Sequence, residues 1–468
     1  MERILFEYKL NATTWFWLSS LMAIGIYFKF HRFWSVRNLD LIALIAFTPG
    51  LLLIAHQEEH WGYVWMFAVS GFFLVRLLLD PVMVRRPLLE PNLSASGLTF
   101  TGVALLVFLM TNLITLKLTE SDLSGARRLE QILSLREART GEGDLAQHGP
   151  GYPLFYIFAD LSNRAFVPGG DTQPEQSRRE LIQTATTRTT AILGHLAVAI
   201  GIVLIGYRHF DNVQTGVAAA TLYLLVPYTS QMTGRVDHVI PAALLVWAVQ
   251  SYRRPGVAGA LVGLAAGVIY YPIFLLPLWC SFYWRRGVVR FAVGVVAVLL
   301  LMVAVLGLTS SDGASFAAQL QEMFGWTSLS LESAEGFWQF HDTAYRIPVL
   351  AAFVAFCGSL ALWPAQKNLG TLLSCSAAVM LGTQFWHAHQ GGIYMAWYMP
   401  LLVLTIFRPN LDDRVALTAV AESWFPWRSE RWIRWWARFR DRWQTRVWDR
   451  LRAKGWIPWQ KPGGPPPV

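Results

Sequence analysis

Two carboxylates, Glu120 and Asp122, follow directly after a long apolar run, in the segment KLTESD. A carboxylate at such a boundary is partly shielded from water, which makes it a stronger base and suits it to general base catalysis. The alternative is structural, with Ser121 or Asp122 as the N-cap of the amphipathic segment SGARRLEQILSLREA. The spacing alone favours the cap, so the sequence leaves both roles open.

Other candidate residues lie beside turns between apolar runs, where a ligand can reach them. The glycines and prolines of HGPGYPLFY force one such turn, and GRVDH and FWHAHQGG stand at two others. We predict that nine residues bind substrate: His148, Tyr152, Arg235, Asp237, Tyr271, His341, Arg346, His387 and His389.

No cofactor motif stands out among these residues. The HxH pair and the isolated His–Asp pairs have no fixed spacing from one another, unlike the ligand sets of zinc sites. We therefore predict no metal site and no cofactor, with a divalent cation as the less favoured alternative. The chain also lacks a Walker loop, a dinucleotide fingerprint and a GxSxG nucleophile elbow. The sequence therefore gives no support for a substrate that is activated by a cytosolic nucleotide.

The elements that carry these residues are apolar enough to be membrane helices. Of the 468 residues, 54% are hydrophobic and only 15% are charged, and the mean hydropathy is +0.37, outside the range of ordinary soluble domains. Apolar runs of roughly 18 to 22 residues recur, each long enough to cross a hydrocarbon core of about 30 Å. We predict an all-α, polytopic transmembrane helical bundle of about thirteen spans.

Basic loops orient the predicted spans, because short loops rich in Lys and Arg stay in the cytoplasm. Their order predicts an N-terminus outside and a C-terminus in the cytoplasm. The lack of organelle signals in the sequence favours a bacterial inner (plasma) membrane. Residues 1–97 are then N-terminal transmembrane helices, and 98–408 form a core with external loops 117–188 and 309–345. Loops of that length usually carry function or fold locally.

The apolar run 256–283 has a basic pair at each end, so a single span would leave one pair outside. We predict two helices instead, with a turn at Tyr270, Tyr271 and Pro272.

Ionisable residues are nearly absent from the middle of the predicted spans, since Asp40, Arg76 and Asp80 stand toward helix ends. Ion-coupled transporters need buried charges along their pathway, and no clear inverted repeat of the transporter kind is present. Both observations argue against a transporter.

Residues 409–468 form a basic, aromatic tail. Within it, residues 428–461 hold eleven Lys or Arg against three Asp or Glu, which accounts for most of the formal charge of +9. Apolar residues recur there at three- and four-residue spacing, with arginines on the other face. We predict a cytoplasmic amphipathic helix on anionic membrane lipids, with a partner-docking helix as the alternative. This distribution of charge does not indicate nucleic acid as a partner.

Taken in order, the motifs resemble the GT-C superfamily of membrane glycosyltransferases. The chain is most similar to glycosyltransferase family 87, the polyprenyl-phosphate-sugar-dependent mannosyltransferase type, over residues 98–408. The resemblance depends on KLTESD after a span, GPGYPLFY, GRVDHVIPAALLVWAV, GVAGALVGLAAGVIYYPIFLLPLW and HAHQGGIYMAWYMPLL. The order of these motifs and their predicted side of the membrane carry more weight than any one of them.

The resemblance implies a GT-C-like fold and an inverting sugar transfer with a lipid phosphate as the leaving group. It assigns the general base to Asp122, with Glu120 as the nearest substitute. Family members often carry a Lys ahead of the proline that matches Pro272, and this chain has aromatic residues there. Arg235 or Arg346 could supply the missing cation, because Arg binds phosphate in a bidentate fashion.

The function that we expect is transfer of a hexose, such as mannose, from a polyprenyl-phosphate-linked donor to an extracytoplasmic acceptor. The acceptor could be a glycan, a lipid or a protein. The alternatives are a non-enzymatic membrane scaffold or transporter of the cell envelope, and a ligase or polymerase of lipid-linked glycans. The expected partners are the donor, the acceptor and membrane lipids.

Overall fold

A computed structural model of the chain describes residues 11–83, 90–133, 148–166, 175–310, 316–317, 334–411 and 414–415. Within these ranges the protein is helical, and its one β-bridge joins Asn368 and Val415. The described residues all belong to one compact unit, Met1–Ala416. The amphipathic helix predicted in the tail lies outside the described residues.

The described ranges contain sixteen α-helices. In chain order they are α1 Ala12–Tyr27, α2 Val36–Ala55, α3 Glu59–Leu79, α4 Ala95–Thr115, α5 Glu120–Leu133, α6 Ile157–Phe166, α7 Glu175–His209, α8 Val213–Leu225, α9 Pro227–Gln231, α10 Val236–Gln250, α11 Pro255–Ile269, α12 Leu276–Phe282, α13 Val288–Thr309, α14 Arg346–Ser359, α15 Leu369–Gly382 and α16 Met399–Phe407.

Some of these helices are long and apolar enough to cross a membrane. By length and composition there are five in the described residues: Val36–Ala55, Glu59–Val82, Ala95–Thr115, Gln176–His209 and Val288–Leu308. Most of the other predicted spans are apolar helices of 10–17 residues, shorter than the roughly 20 residues that a straight crossing needs. The all-α prediction is confirmed for the described chain, and five helices there are long and apolar enough to cross a membrane. The count of about thirteen spans stays a prediction.

Polar side chains cap the beginnings of several apolar helices. In each case a side-chain oxygen accepts a hydrogen bond from a backbone N–H of the first turn; the capping residues are Asn11, Ser35, Ser94, Asn212 and Asn368. Such caps satisfy donors that the helix itself leaves unpaired, which matters most where water is scarce. The apolar runs of the sequence therefore begin as helices at defined residues.

Helices α11 and α13 pack closely because small residues line their contact. A Cβ atom added to Gly259 would lie 2.1 Å from the carbonyl oxygen of Phe291. Gly259, Gly263 and Gly267 are spaced four residues apart, so they share one face of α11. Small residues at this spacing let the backbones of membrane helices approach one another. This packing holds the C-terminal end of α11 in place.

The chain breaks sharply after α11. The helix ends at Ile269, Tyr270 has a φ of 55°, and a 3₁₀ turn, Tyr271–Leu275, leads into α12. The predicted break at Tyr271 and Pro272 is therefore present. A positive φ is strained for an aromatic residue and persists only where its surroundings hold it.

The first predicted external loop, 117–188, folds in its described parts into helices that pack on the polar beginning of α7. Gln183 Nε2 of α7 donates to Glu130 Oε2 of α5 at 2.6 Å. Asn163 Nδ2 of α6 donates to Thr186 Oγ1 of α7 at 3.5 Å. Helix α7 consequently begins at Glu175, inside the predicted external loop, because polar contacts extend it beyond its apolar part.

An ion network of Asp40, Arg76, Asp80 and Arg408 joins α2, α3 and the end of α16. Arg76 Nε and Nη2 lie 2.9 and 3.0 Å from the two carboxylate oxygens of Asp40. Arg76 Nη1 lies 3.0 Å from Asp80 Oδ1, and Arg408 Nε lies 3.0 Å from Asp80 Oδ2. Both carboxylates are buried. Opposite charges balance in the network, as buried ions require.

Candidate functional site

A small cleft lies where the ends of several helices meet. Its lining consists of His148, Asp237, Ile269, Tyr271, His387, His389, Tyr394 and Trp397. The enclosed part of the cleft has a volume of about 10 Å³, roughly the space of one water. With its open mouth included, the empty space is about 300 Å³. Five of the lining residues are among those predicted from sequence to bind substrate.

A carboxylate–arginine cluster, formed by Asp122, Arg235 and Asp237, borders the cleft. Arg235 forms a bidentate ion pair with Asp237. Its Nε donates to Oδ1 at 3.0 Å and its Nη2 donates to Oδ2 at 2.7 Å. Its Nε also lies 4.0 Å from Asp122 Oδ1. Both carboxylates are buried, so each depends on the arginine for neutralising charge. Asp122 stands at the beginning of α5 and Asp237 in the first turn of α10.

Asp122 combines a local structural role with this position. Its Oδ2 accepts hydrogen bonds from the Thr119 backbone N–H at 2.8 Å and from the Thr119 hydroxyl at 2.7 Å. Helix α5 therefore begins after Thr119, and Asp122 reaches back to it, as the third residue of a capping box does. The N-cap position is therefore Thr119, two to three residues before the predicted N-cap at Ser121 or Asp122. The other carboxylate oxygen of Asp122, Oδ1, is the one that faces Arg235.

Glu120 lies apart from the cluster. Its side chain is 82% exposed and pairs with Arg127 on the same helix. The hydrogen bond from Arg127 holds the pKa of Glu120 below its ordinary value. An exposed carboxylate with a lowered pKa is a weak base, so the geometry favours Asp122 over Glu120 as a proton acceptor.

The HGPGY turn is fixed to the broken end of α11. The backbone N–H of Gly149 donates to Val268 O at 2.8 Å, and that of Gly151 donates to Gly267 O at 3.0 Å. These are carbonyl groups that the end of a helix leaves without partners. A Cβ on Gly149 would lie 2.1 Å from Gly267 O, so only glycine fits this approach. The turn thereby places His148 at the cleft.

His148 faces the cluster and is supported from behind by tyrosines. Its Nε2 lies 3.5 Å from Asp237 Oδ2, and its ring stacks on Tyr152 with centroids 4.6 Å apart. The hydroxyls of Tyr152 and Tyr156 are 2.7 Å apart. Burial raises the pKa of both tyrosines well above the ordinary value, so both hydroxyls remain protonated. Tyr152, predicted to bind substrate, therefore supports His148 and does not line the cleft.

His238 is a member of this polar centre that was not singled out as a site residue. It is fully buried, its Nδ1 lies 2.6 Å from the Tyr228 hydroxyl, and its Nε2 lies 3.7 Å from Asp237 Oδ2. The sequence signal was its place directly after Asp237 in GRVDH.

Four rings, Tyr271, His387, Tyr394 and Trp397, form an aromatic wall on the other side of the cleft. Trp397 stacks on Tyr394 with centroids 4.4 Å apart and on Tyr271 at 5.3 Å. The centroid of the His387 ring lies 4.9 Å from that of Tyr271 and 4.8 Å from that of Tyr394. Tyr394 and Trp397 were not predicted as site residues, although both follow HAHQGG within eight positions. Only the turn that folds them back onto Tyr271 reveals their role.

His387 is held as a neutral imidazole. Its Nδ1 accepts a hydrogen bond from the backbone N–H of His389 at 3.0 Å, which requires an unprotonated nitrogen. Burial, followed by the nearby His389, lowers the pKa of His387 to about 3. Burial also lowers the pKa of His389. Neither residue of the HxH pair adds positive charge to the cleft at neutral pH.

The last two predicted residues lie at different distances from this centre. His341 is exposed and stacks on Phe337 and His60, away from the cleft lining. Arg346 is buried at the start of α14, and its Nε donates to Trp386 O at 3.3 Å. It acts electrostatically on Tyr271 and His387, so it stands beside the aromatic wall. The structure thus leaves Glu120 and His341 outside the site.

The described residues contain no group of three or more His, Cys, Asp or Glu side chains arranged to hold a metal ion. The chemistry available in the cleft is that of its own side chains. Carboxylates can accept a proton or a hydroxyl hydrogen, Arg235 and the tyrosines can donate hydrogen bonds, and aromatic rings can contact an apolar face.

Comparisons with known proteins give no relative, since no family model, no curated protein and no solved structure matches the chain. The class of the protein is therefore described from its fold and its site alone. In its described part the protein is all-helical, with five helices long and apolar enough to cross a membrane, and it carries a polar, aromatic-walled cleft where helices end.

Proposed function

We propose that this protein is a membrane glycosyltransferase that transfers a hexose, such as mannose, from a polyprenyl-phosphate-linked donor to an extracytoplasmic acceptor with inversion. The proposal depends on one observation, the buried carboxylate–arginine cluster beside the cleft. Its members and the cleft lining come from segments near residues 122, 148, 237, 271 and 390. Buried ionisable groups converging on a cleft are typical of catalytic sites.

The position of the cluster suits a lipid-borne donor. Asp122 follows the end of α4, Arg235 precedes α10, and Tyr271 follows the end of α11, so the site lies at one end of the helices. The polyprenyl chain lies in the hydrocarbon core of the bilayer beside the apolar helices. Its phosphate and sugar then lie at the membrane surface, where the helices end. We assign this end to the outside of a bacterial inner membrane, in a GT-C-like bundle with a cytoplasmic C-terminus, because the loops at the opposite ends are the basic ones.

In this mechanism Asp122 is the general base and acts through Oδ1, since Oδ2 is occupied by Thr119. The acceptor hydroxyl gives its proton to Asp122 while its oxygen bonds to the anomeric carbon. The bond from that carbon to the phosphate oxygen breaks, and the electron pair leaves on the lipid phosphate. No acid is needed, because the phosphate leaves as a stable anion.

The charge on the departing phosphate requires a cation. The fork between Arg235 and Asp237 already uses most of the charge of Arg235. Arg346 interacts electrostatically with Tyr271 and His387 of the aromatic wall and is the proposed phosphate ligand. Its place in the first turn of the 14-residue helix α14 adds the favourable field of a helix N-terminus. This arrangement stabilises negative charge as it develops in the transition state.

The direct test compares Asp122→Asn with Glu120→Gln in proteoliposomes supplied with radiolabelled polyprenyl-phosphate mannose or glucose. We expect Asp122→Asn to lower transfer by about 100-fold or more, since it removes the base. Asparagine keeps an oxygen for the Thr119 N–H, so the cap and the fold should survive. Glu120→Gln removes a carboxylate two residues away, outside the site, and should leave transfer unchanged.

Two outcomes would count against the proposal. Wild-type turnover by a folded Asp122→Asn protein would remove Asp122 as the base. Absence of transfer from either donor by the folded wild-type protein would overturn the glycosyltransferase proposal and favour a scaffold of the cell envelope.

A further inference from the structure

The cleft has two walls of unlike chemistry. The aromatic wall presents Tyr271 and Tyr394, both half-buried, toward the opening, with Trp397 buried behind them. The opposite wall presents His148 and Asp237. A ligand that fits both walls must combine an apolar face with several hydrogen-bonding groups at its edge.

The two walls are fixed relative to each other by direct contacts. The indole Nε1 of Trp397 donates to the backbone carbonyl of Asp237 at 3.1 Å. Tyr394 also interacts electrostatically with Arg235, the partner of Asp237. Burial raises the pKa of Tyr394 above its ordinary value, so its hydroxyl remains a donor. The spacing between rings and carboxylate is therefore built into the fold, as ligand recognition requires.

We propose that this cleft is a pyranose subsite, in which the C–H face of a hexose ring stacks on Tyr271 and Tyr394 while its hydroxyls reach Asp237 and His148. The inference rests on the proposed function and specifies where its sugar is held. The C–H groups of a pyranose are weakly positive and match the negative faces of aromatic rings. Two neighbouring hydroxyls can be matched by the Asp237 carboxylate, which accepts hydrogen bonds, and the neighbouring His148 imidazole, which can donate one.

The charge of the cleft favours a neutral sugar over the charged ligands that aromatic sites also bind. A quaternary amine needs a cage with net negative charge, and the fork from Arg235 neutralises Asp237. A phosphate on this side of the cleft would meet two carboxylates, Asp122 and Asp237, against one arginine. A neutral ring with hydroxyls avoids both difficulties.

The size of the cleft indicates where the ring is held. The enclosed part, about 10 Å³, holds no more than a water, while the space with the mouth included is about 300 Å³, at the lower end of the range of about 300–1,000 Å³ for small-molecule sites. The pyranose therefore occupies the mouth, against the exposed parts of Tyr271 and Tyr394, with only a hydroxyl directed inward.

The test is saturation-transfer NMR with methyl α-D-mannopyranoside and methyl α-D-glucopyranoside on the full chain in nanodiscs. We expect saturation of the ring C–H protons of at least one glycoside by the wild-type protein. Tyr271→Leu keeps apolar bulk but removes the ring face and should lower that signal at least fivefold. Tyr271→Phe should retain it. Tyr345→Leu, which replaces an exposed tyrosine absent from the cleft lining, serves as the matched control.

Each outcome decides the inference independently of catalysis. Absence of saturation by the wild-type protein, an undiminished signal in a folded Tyr271→Leu protein, or displacement of the glycoside by millimolar choline would overturn the pyranose subsite. Glycoside binding that depends on Tyr271 supports it, and it would do so even if no sugar transfer were found, in which case only the proposed reaction would fail. Transfer without Tyr271-dependent binding would remove the subsite and keep the reaction.

Discussion

At the scale of residues, three carboxylates that look alike in sequence differ in what surrounds them. Glu120 is exposed and paired with Arg127, whereas Asp122 is buried, capped by Thr119 and turned toward Arg235. Asp237 lines the cleft but is gripped by Arg235 through both of its oxygens. A carboxylate held in a charge-assisted fork is a weak base. These environments divide the roles, with Asp122 available to take a proton and Asp237 available to orient a ligand.

His387 gives a prediction about pH. Because its folded-state pKa is depressed to about 3 from an ordinary 6.5, protonation favours the unfolded chain. Stability should be full above the ordinary value and fall as the pH drops below it, by up to about 2 kcal/mol near pH 5. Thermal unfolding in detergent should therefore show a smaller acid-induced drop in melting temperature for His387→Gln than for the wild type.

The matched control for this measurement is His341→Gln, since His341 is exposed and stands outside the cleft. It should leave the acid-induced drop unchanged. An equal drop for wild type and His387→Gln would show that the imidazole of His387 contributes nothing to the pH dependence.

At the scale of elements, the site is assembled by helix ends and not by helix faces. The HGPGY turn supplies N–H groups to the last carbonyls of α11, and this contact carries His148 to Asp237. The strained Tyr270 ends α11 and turns Tyr271 toward the loop that bears His387. The broken end of α11 thus has a defined partner, because exposed backbone groups are costly away from water.

Gly149→Ala tests this assembly. The added Cβ would meet Gly267 O at 2.1 Å and push the turn away from α11, at a cost of about 1–3 kcal/mol for overpacking. We expect a lower melting temperature and a loss of sugar transfer, because His148 moves with the turn. Gly358→Ala in α14 is the control, since nothing lies within 4 Å of its added Cβ. Equal behaviour of the two variants would contradict the role of the turn.

At the scale of the whole molecule, the ion network attaches the first helices to the rest of the bundle. Asp80 is 0% exposed and contacts Arg76 of α3 and Arg408, which lies 328 residues away in sequence. The network contains equal numbers of positive and negative groups. It was visible in the sequence only as isolated charges near helix ends.

Asp80→Asn should destabilise the protein strongly, because the buried Arg408 and the partly buried Arg76 lose a shared carboxylate. Breaking a buried pair in this way typically costs about 3–5 kcal/mol, and the melting temperature in detergent should fall accordingly. Asp211→Asn breaks a different Asp–Arg pair, with Arg414, in which the aspartate side chain is 69% exposed. Surface pairs contribute about 0–1 kcal/mol, so this control should change little. Similar shifts for both variants would contradict a stabilising role of the buried network.

The proposed orientation can be tested with single cysteines in a variant that lacks Cys280, Cys357 and Cys375. Phe166 ends α6 within the predicted external loop and is 84% exposed, and Arg254 is exposed between α10 and α11. We expect an impermeant maleimide to label Phe166→Cys in intact cells, and Arg254→Cys only after permeabilisation. The reverse pattern would place the cleft in the cytoplasm and rule out an extracytoplasmic acceptor.

Much of the architecture could be predicted from local composition. Long apolar runs predict helices that can cross a membrane, and the paired basic flanks of 256–283 predict the break at Tyr271 and Pro272. The exact ends of elements were harder to predict. In the structure α5 is capped at Thr119 and not at the predicted Ser121 or Asp122, and α7 begins at Glu175, inside the predicted external loop. Contacts with other parts of the chain decide where a helix begins.

The sequence by itself determined the helical class and identified most of the cleft residues, because hydropathy and turn residues act over a few neighbours along the chain. Only the tertiary structure decided which of those residues share a site. It brought His148, Asp237, Tyr271 and His387 together with Tyr394 and Trp397, and left Glu120 and His341 outside. The physical reason is that contacts between helix ends depend on packing distances and hydrogen bonds across many residues, and residue spacing along the chain does not encode them.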